Sequence, residues 1–427
     1  MRRTTVVVVG GGQAGLAMSR CLTDLAVDHV VLERGAVAQS WRSERWDSLR
    51  LLTPNWSSRL PGFAYQGPDP DGFMTASEVV GYLDRYQRSF GAPVETETAV
   101  CRMTGSSSGF SLTTDQGQWH SRAVVIATGA FSHPAIPAWA GELPASIVRL
   151  APVGYRNPSQ LGGRRVLVVG ASASGAQIAE ELVVSGHQVT LAVGEHVRVP
   201  RTYRGRDIHW WLEVMGRLDE RYDQVEDLNT ARRRSSLQLV GSAPPRDLDL
   251  NSLAALGVGL VGRVMGADER RVVLSGSLAN VAKLADLKLN RLLDEIDTFA
   301  AGAGLAGLGP VWRPAPTDVP PNPPNTLDLA EIDSVVWATG CRPRYPWLPG
   351  GLLDAKGGLR HDGGVIVDQP GLYVLGLPFL RRRKSSFLDG VAGDAVILSG
   401  HLRGFLDQGC RRVSDYGRRI RLSADSR

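Results

Sequence analysis

The sequence predicts an α/β protein built from two doubly wound units, the second inserted into the first. Two strand–turn–helix–strand stretches with Gly-rich turns carry this reading, one over residues 5 to 34 and one opening at residue 165. The strand ending Ala-Thr-Gly also occurs twice, at 127–129 and 338–340, once on each side of the second unit. Between the second unit and the later ending, residues 310 to 325 hold seven prolines and read as a linker.

Each element follows from its pattern. Thr5 to Val9 is a continuous apolar run, as expected of a strand covered on both faces. Leu16 to Leu25 has helical spacing, and Val30 to Leu32 is a second buried strand. The stretch from Trp41 to Gly62 is irregular, aromatic and rich in Arg and Pro. Glu78 to Phe90 reads as an amphipathic helix, with Val79, Val80, Leu83, Tyr86 and Phe90 on one face. Strands are expected around Val94 to Met103, at Phe110 to Thr114 and at Ala123 to Ala127. In the second unit, Arg165 to Val169 and Gln188 to Val193 are strands flanking a helix at Ala176 to Val184. Leu284 to Ala300 is a helix, Ser334 to Ala338 and Leu372 to Leu375 are strands, and Leu388 to Gly404 is a helix. The first domain is therefore expected to comprise residues 1–152 and 326–427, with the second filling 153–325.

Composition narrows the function. The chain of 427 residues is 43% hydrophobic and 21% charged, as in ordinary globular proteins. No apolar run approaches the roughly 18 residues that span a bilayer. The opening MRRTTVVVV breaks at Gly10-Gly11-Gly12 and reads as a strand rather than a leader, so a cytoplasmic protein is expected. Four cysteines occur, none in a C-x-x-C pair, which speaks against a disulfide framework, a zinc site or a dithiol reductase. The net charge of +5 is spread over separate Arg clusters, which suits a solvated face and phosphate contacts better than nucleic acid. His120, His133, His187, His196, His209 and His361 lack metal-ligand spacing, and no metal is expected. No nucleophile elbow occurs. A homodimer is left open.

The first turn, VVVVGGGQAG, places Gly10, Gly12 and Gly15 as G-x-G-x-x-G directly after a strand and opening a helix. Such a Rossmann-like turn needs a tight bend, close approach to a diphosphate and close helix–strand packing. Glu33, at the end of the second strand, stands where a carboxylate binds ribose hydroxyls. The second turn, VLVVGASASG, keeps Gly170 and Gly175 but has Ser172 in the middle, with Ser174 beside it. Val193 takes the place corresponding to Glu33, and Arg198, Arg201 and Arg204 follow, which favours a 2′-phosphate and hence NADPH. Glu195 argues the other way, since a shift of one or two residues would place it on a ribose and favour NADH. One nucleotide that carries a hydride and one that accepts it give the pair a chemical use.

These motifs resemble the two-dinucleotide-binding-domain flavoproteins, especially the flavin-containing monooxygenase and Baeyer–Villiger branch. QSWRSERWDSLRLLTPNWSSRLPGF is similar to that branch's flavin-side segment, and VVIATG and VVWATG to its two Ala-Thr-Gly endings. The resemblance covers about residues 4 to 407 and is closest to bacterial flavin-dependent oxidoreductases sharing WDSLRLLTPNW, YRGRD and LGLPFLRRR. It implies that Gly10, Gly12, Gly15 and Glu33 hold FAD, with Arg34, Trp41, Arg42 and Trp46 along the flavin side and Val100 at the adenine. Thr128 and Gly129 would close over FAD, Gly340 and Gly376 would add cofactor contacts, and Leu388 would start a helix whose dipole faces the flavin. Asn55 sits where related monooxygenases place an asparagine facing the oxygen adduct at flavin C4a; a turn residue after Pro54 is the alternative. The branch's signature F-x-G-x-x-x-H-x-x-x-[YF/W] corresponds to Ala145–Tyr155, where Tyr155 matches but Ala145, Ile147 and Ala151 replace Phe, Gly and His.

The resemblance thus implies that NADPH reduces FAD and that one atom of O2 passes to a small organic substrate. The missing His leaves a reductase or oxidase without oxygen insertion as one rival, and a nucleotide-binding sensor as another. Trp210-Trp211 would line a substrate channel or bury one Trp under an amphipathic helix.

Overall fold

All four side chains of strand Val6–Val9 are buried, so both of its faces are covered. The structure is a computed structural model that describes residues 1–106 and 108–424, with side chains up to 408. Val6–Val9 lies inside a seven-stranded sheet ordered His361–Asp362, Val365–Ile366, Leu372–Val374, Ala123–Ile126, Val6–Val9, His29–Leu32, Val94–Glu95. The strands from Leu372–Val374 to Val94–Glu95 run parallel. Helix Gln13–Asp24 buries Leu16, Ala17, Met18 and Leu22 and packs against the long helix Leu388–Ala424. Helix Ala76–Ser89 starts at a capping box. The Thr75 hydroxyl accepts from the Glu78 N–H at 3.2 Å, and the Glu78 carboxylate accepts from the Thr75 N–H at 2.7 Å.

The second sheet has five parallel strands, ordered Val148–Leu150, Ser334–Trp337, Arg165–Val169, Gln188–Val193, Gly259–Gly262. This corrects the expected boundaries. Val148–Leu150 and Ser334–Trp337, expected in the first domain, hydrogen-bond into the second sheet, so the crossings lie before residue 148 and after residue 337. The reason is that an apolar strand suits either sheet, and only register decides which one it joins. The two crossings run side by side, with the Ala135 N–H donating to Gly340 O at 2.9 Å and the Arg342 N–H to His133 O at 2.8 Å. They form a two-stranded hinge between the sheets.

A smaller core sits outside the second sheet. Val199, Tyr203, Ile208, Trp211, Leu239, Leu289, Leu293 and Ile296 form it. Trp211 is fully buried and donates its indole N–H to Tyr203 O at 2.8 Å, while Trp210 is half-buried under the Arg206 guanidinium at 5.2 Å. The amphipathic-helix reading of this pair therefore holds. Helix Leu278–Gly302 starts before the expected Leu284, because buried Leu278 and Ala282 continue the stripe toward its N-terminus, and it runs past Ala300 to Gly302. From this region residues 218–222 reach across to the first unit and lie along 381–384. Tyr222 N–H donates to Arg381 O at 3.0 Å, Arg383 N–H to Glu220 O at 3.0 Å, and Lys384 N–H to Leu218 O at 3.1 Å. Asp219 pairs with Lys384 at 3.3 Å, and Glu220 pairs with Arg383. The basic run 381–384 is thus a clasp that fastens the insertion to the first unit. No helix among the described residues is long and apolar enough to cross a membrane.

Trp211→Ala removes the largest side chain of the smaller core and leaves Tyr203 O without its donor. It is expected to lower stability by about 3–5 kcal/mol, read by chemical denaturation of the intact chain.

Candidate functional site

The first Gly turn is shaped by what it cannot accommodate. Gly10 has φ +112°, and a Cβ there would stand 2.5 Å from Ala127 O. A Cβ on Gly15 would meet Gly10 O at 1.8 Å. At Gly12 a Cβ would meet nothing within 4 Å, so the middle glycine keeps space open rather than filling it. The helix that follows has no side-chain cap at Gly12. Its first N–H groups are therefore free for an anion, which a diphosphate fits. Glu33 is buried beside them, accepting from the Gly11 N–H at 2.6 Å and the Gly35 N–H at 3.1 Å. Its remaining lone pairs can take ribose hydroxyls.

The second turn repeats this geometry. Gly170 has φ +107° and would place a Cβ 2.4 Å from Ala338 O; one on Gly175 would meet Gly170 O at 1.8 Å. Ser172 stands at the N-cap of helix Ala173–Val184, with Ser174 in the first turn. Serine is a preferred cap, yet the Ser172 hydroxyl makes no capping bond, leaving this helix end open as well. Each turn thus closes on its own Ala-Thr-Gly ending, one in each sheet. Two glutamines that sequence reading missed hold the second turn. Gln238 Nε2 donates to Ala171 O at 2.6 Å, and Gln177 Nε2 to Leu239 O at 2.7 Å. Gln238 lies 67 residues from its partner, and nothing local signals it.

Other expected residues surround the first turn. Thr128 is exposed and Gly129 half-buried at the end of their strand, Val100 opens its own strand, and Gly340 lies on the hinge. Gly376 packs on Ala14, where a Cβ would be 2.7 Å from the Ala14 Cβ, and Gln13 Nε2 donates to Ser386 O at 2.9 Å. The loop leading to Leu388 is thereby fastened around the uncapped helix end. Arg34 pairs with Glu44 and Arg42 with Asp84, both at 2.6 Å. Trp41 lies 5.0 Å beneath the Arg45 guanidinium. Trp46 is buried in the core of the second unit rather than on the flavin side alone.

Residues 45–47 are stitched to the segment that carries the altered signature. Asp47 N–H donates to Arg156 O at 2.8 Å, Arg156 Nη1 to Arg45 O at 2.8 Å, and Asn157 Nδ2 to Asp47 Oδ2 at 2.7 Å. Tyr155, fully buried, donates to Glu181 at 2.7 Å, and burial followed by Glu181 pushes its phenol pKa well up, so it remains a donor. Ala151 is buried on the same segment.

Two sets of expected site residues have structural partners. Asn55 is buried with both ends of its amide engaged, Nδ2 donating to Asp69 O at 2.9 Å and Oδ1 accepting from the Met74 N–H at 2.8 Å. It clamps a loop, giving one amide hydrogen and one carbonyl lone pair to backbone partners. Arg198, Arg201 and Arg204 are likewise internal ion-pair partners. Arg198 bridges Asp249 and Asp286, each at 2.6 Å, Arg201 pairs with Asp207 at 2.5 Å, and Arg204 pairs with Asp297 at 3.1 Å. Buried guanidinium groups take carboxylate partners, and those of Arg198 and Arg204 are drawn from distant segments that the sequence does not bring together. The exposed arginine at this strand end is Arg263. It follows strand Gly259–Gly262, and its Cδ is 3.8 Å from where a Cβ on Gly194 would lie. It enters no ion pair among the described residues. Glu195 is exposed nearby in sequence.

Two open-ended helix turns, each closed by its own Ala-Thr-Gly carbonyl, define a two-dinucleotide, flavin-dependent oxidoreductase. The chain belongs to the pyridine nucleotide-disulphide oxidoreductase family, whose model matches residues 7–228. It is 31% identical over 396 residues to the CzcO-like oxidoreductase of Geobacillus kaustophilus (strain HTA426), covering 92% of this chain and 96% of the relative. To the indole-3-pyruvate monooxygenase YUCCA4 of Oryza sativa subsp. japonica it is 30% identical, covering 91% and 85%. The flavin-containing monooxygenase of Stenotrophomonas maltophilia shares the fold at TM-score 0.66 and 22% identity, covering 95% and 100%. Among the described residues, the disulphide chemistry in the family's name has no counterpart in paired thiols. Cys21 is buried, Cys101 exposed and Cys341 half-buried, and all three are free.

Glu33→Ala is expected to weaken FAD retention by about 1–3 kcal/mol, measured as FAD released on dilution. Asn55→Ala leaves the buried Met74 N–H without an acceptor. It should lower stability by about 1–3 kcal/mol in chemical denaturation, while oxygen consumption per bound flavin stays within roughly twofold.

Proposed function

We propose that the protein is a cytoplasmic, FAD-dependent and NADPH-using monooxygenase that places one atom of O2 on a small organic substrate. The observation that carries this reading is the duplicated open turn, in a chain similar over most of its length to a named monooxygenase. Bound together, the two nucleotides would supply hydride transfer and activation of O2. The residues supply binding and orientation. Glu33 and the N–H groups after Gly12 would hold FAD, and those after Ser172 would hold NADPH. The hinge and the 45–47 stitch fix how far the two turns stand apart. A reducing cytoplasm suits three unpaired cysteines.

Arg263, rather than Arg198, Arg201 or Arg204, is proposed to read the 2′-phosphate. Arg263→Ala should raise KM for NADPH roughly tenfold or more and leave KM for NADH within roughly twofold. Equal effects on both nucleotides would remove Arg263 from this role. Ala151 stands where the branch has its His, so NADPH consumed without substrate is expected to appear as H2O2. The decisive measurement is turnover under 18O2 across amines, sulfides and ketones, with mass analysis of the products. Label in product supports the reading; NADPH-dependent H2O2 with no labelled product replaces it with an oxidase.

A further inference from the structure

Arg232 ends the short helix Leu228–Arg232 and reaches the first unit, where its Nε lies 3.4 Å from Phe379 O and its Nη2 lies 3.3 Å from His361 Nε2. The other ring nitrogen, Nδ1, faces the Gly364 N–H at 3.2 Å. A neutral imidazole offers one lone pair, and here two N–H donors face it. Whichever nitrogen holds the proton, one donor meets another donor and lacks an acceptor. His361 stays neutral, because burial and then the Arg232 charge push its pKa down to about 4. Arg232 enters no ion pair among the described residues, and burial alone lowers its pKa, with no acid offsetting it. Asp362, the adjacent carboxylate, accepts from the Tyr222 hydroxyl at 2.7 Å. Arg381 brings a second guanidinium to the same turn, its Nη1 donating to Gly363 O at 2.7 Å, again with no ion pair among the described residues. Arg232 and His361 are both half-buried.

The position gives this surplus of donors a meaning. Phe379 belongs to the loop that starts at Gly376, packed on Ala14, and leads to Ser386, the partner of Gln13. That loop rims the first open turn, and Arg232 stands against it from the insertion. We propose that Arg232 and His361 form a subsite for the carboxylate of a small organic substrate. One oxygen accepts from Arg232 Nη2–H and His361 Nε2–H together, and Gly364 keeps Nδ1 as its acceptor. The inference rests on the monooxygenase reading only in calling the ligand a substrate.

The test is calorimetric titration of the FAD-loaded, oxidised protein with benzoate, with its neutral isostere benzamide and with inorganic phosphate. Benzoate should bind at least roughly tenfold more tightly than benzamide, and Arg232→Met should remove that preference while Arg232→Lys keeps part of it. His361→Phe, which removes the second donor, should weaken benzoate and leave benzamide unchanged. Equal binding of benzoate and benzamide, or unchanged benzoate binding in Arg232→Met, overturns the subsite. Phosphate displacing benzoate, together with FAD loss in Arg232→Met and His361→Phe, assigns the pair to a cofactor phosphate and also overturns it. If Arg232→Met and His361→Phe both fail to fold, the pair is structural and the proposal falls. The titration needs no turnover, so it can succeed or fail independently of the 18O2 result.

Discussion

A carbonyl seated where no Cβ fits is the contact on which the rest depends. Ala127 O faces Gly10 and Ala338 O faces Gly170, each at a distance that only glycine allows. The consequence reaches well beyond the turn. The strand carrying the carbonyl must lie beside the strand carrying the glycine, which fixes the order of each sheet around its turn. With Gly15 and Gly175 pressed on the same turns, each helix is drawn onto its sheet, and its free N–H groups are aimed at a shared anion position. Sheet order, helix placement and binding chemistry thus share one steric cause, used twice.

The arrangement also explains the exchange of glycine for serine. The outer glycines are fixed by protein atoms and allow no side chain. The middle position opens onto space, so Ser172 replaces the counterpart of Gly12 without disturbing the backbone. What differs between the two turns is chemistry at an otherwise conserved shape: a hydroxyl at the second, and a buried carboxylate, Glu33, beside the first.

Much of this was legible in sequence because it is local. The Gly spacing, the buried strands and the position of Glu33 each depend on residues within about twenty places of one another. What was not legible depends on distant partners. Arg198 has the spacing of a phosphate reader, but its partners Asp249 and Asp286 lie 51 and 88 residues away. Asn55 has the place of an oxygen-facing amide, yet its amide is held by Asp69 and Met74, 14 and 19 residues further on. Strand Ser334–Trp337 has the pattern of a strand in either sheet. Its membership is set by pairing with Arg165–Val169, almost 170 residues earlier. Arg263, the proposed phosphate reader, carries no such signal, because it follows an ordinary strand with no motif around it.

The insertion is fastened at three places, the paired crossings, the 45–47 stitch and the strip where residues 218–222 lie along 381–384. A plate pinned at one edge can swing wide. A plate pinned at three holds its angle unless a pin is drawn. Motion between the two nucleotide sites is therefore confined to small adjustments while the strip stays paired. Any larger excursion has to unzip three main-chain hydrogen bonds and the ion pairs beside them, so traffic of a whole nucleotide and the finer adjustments of turnover belong to separate movements with different barriers.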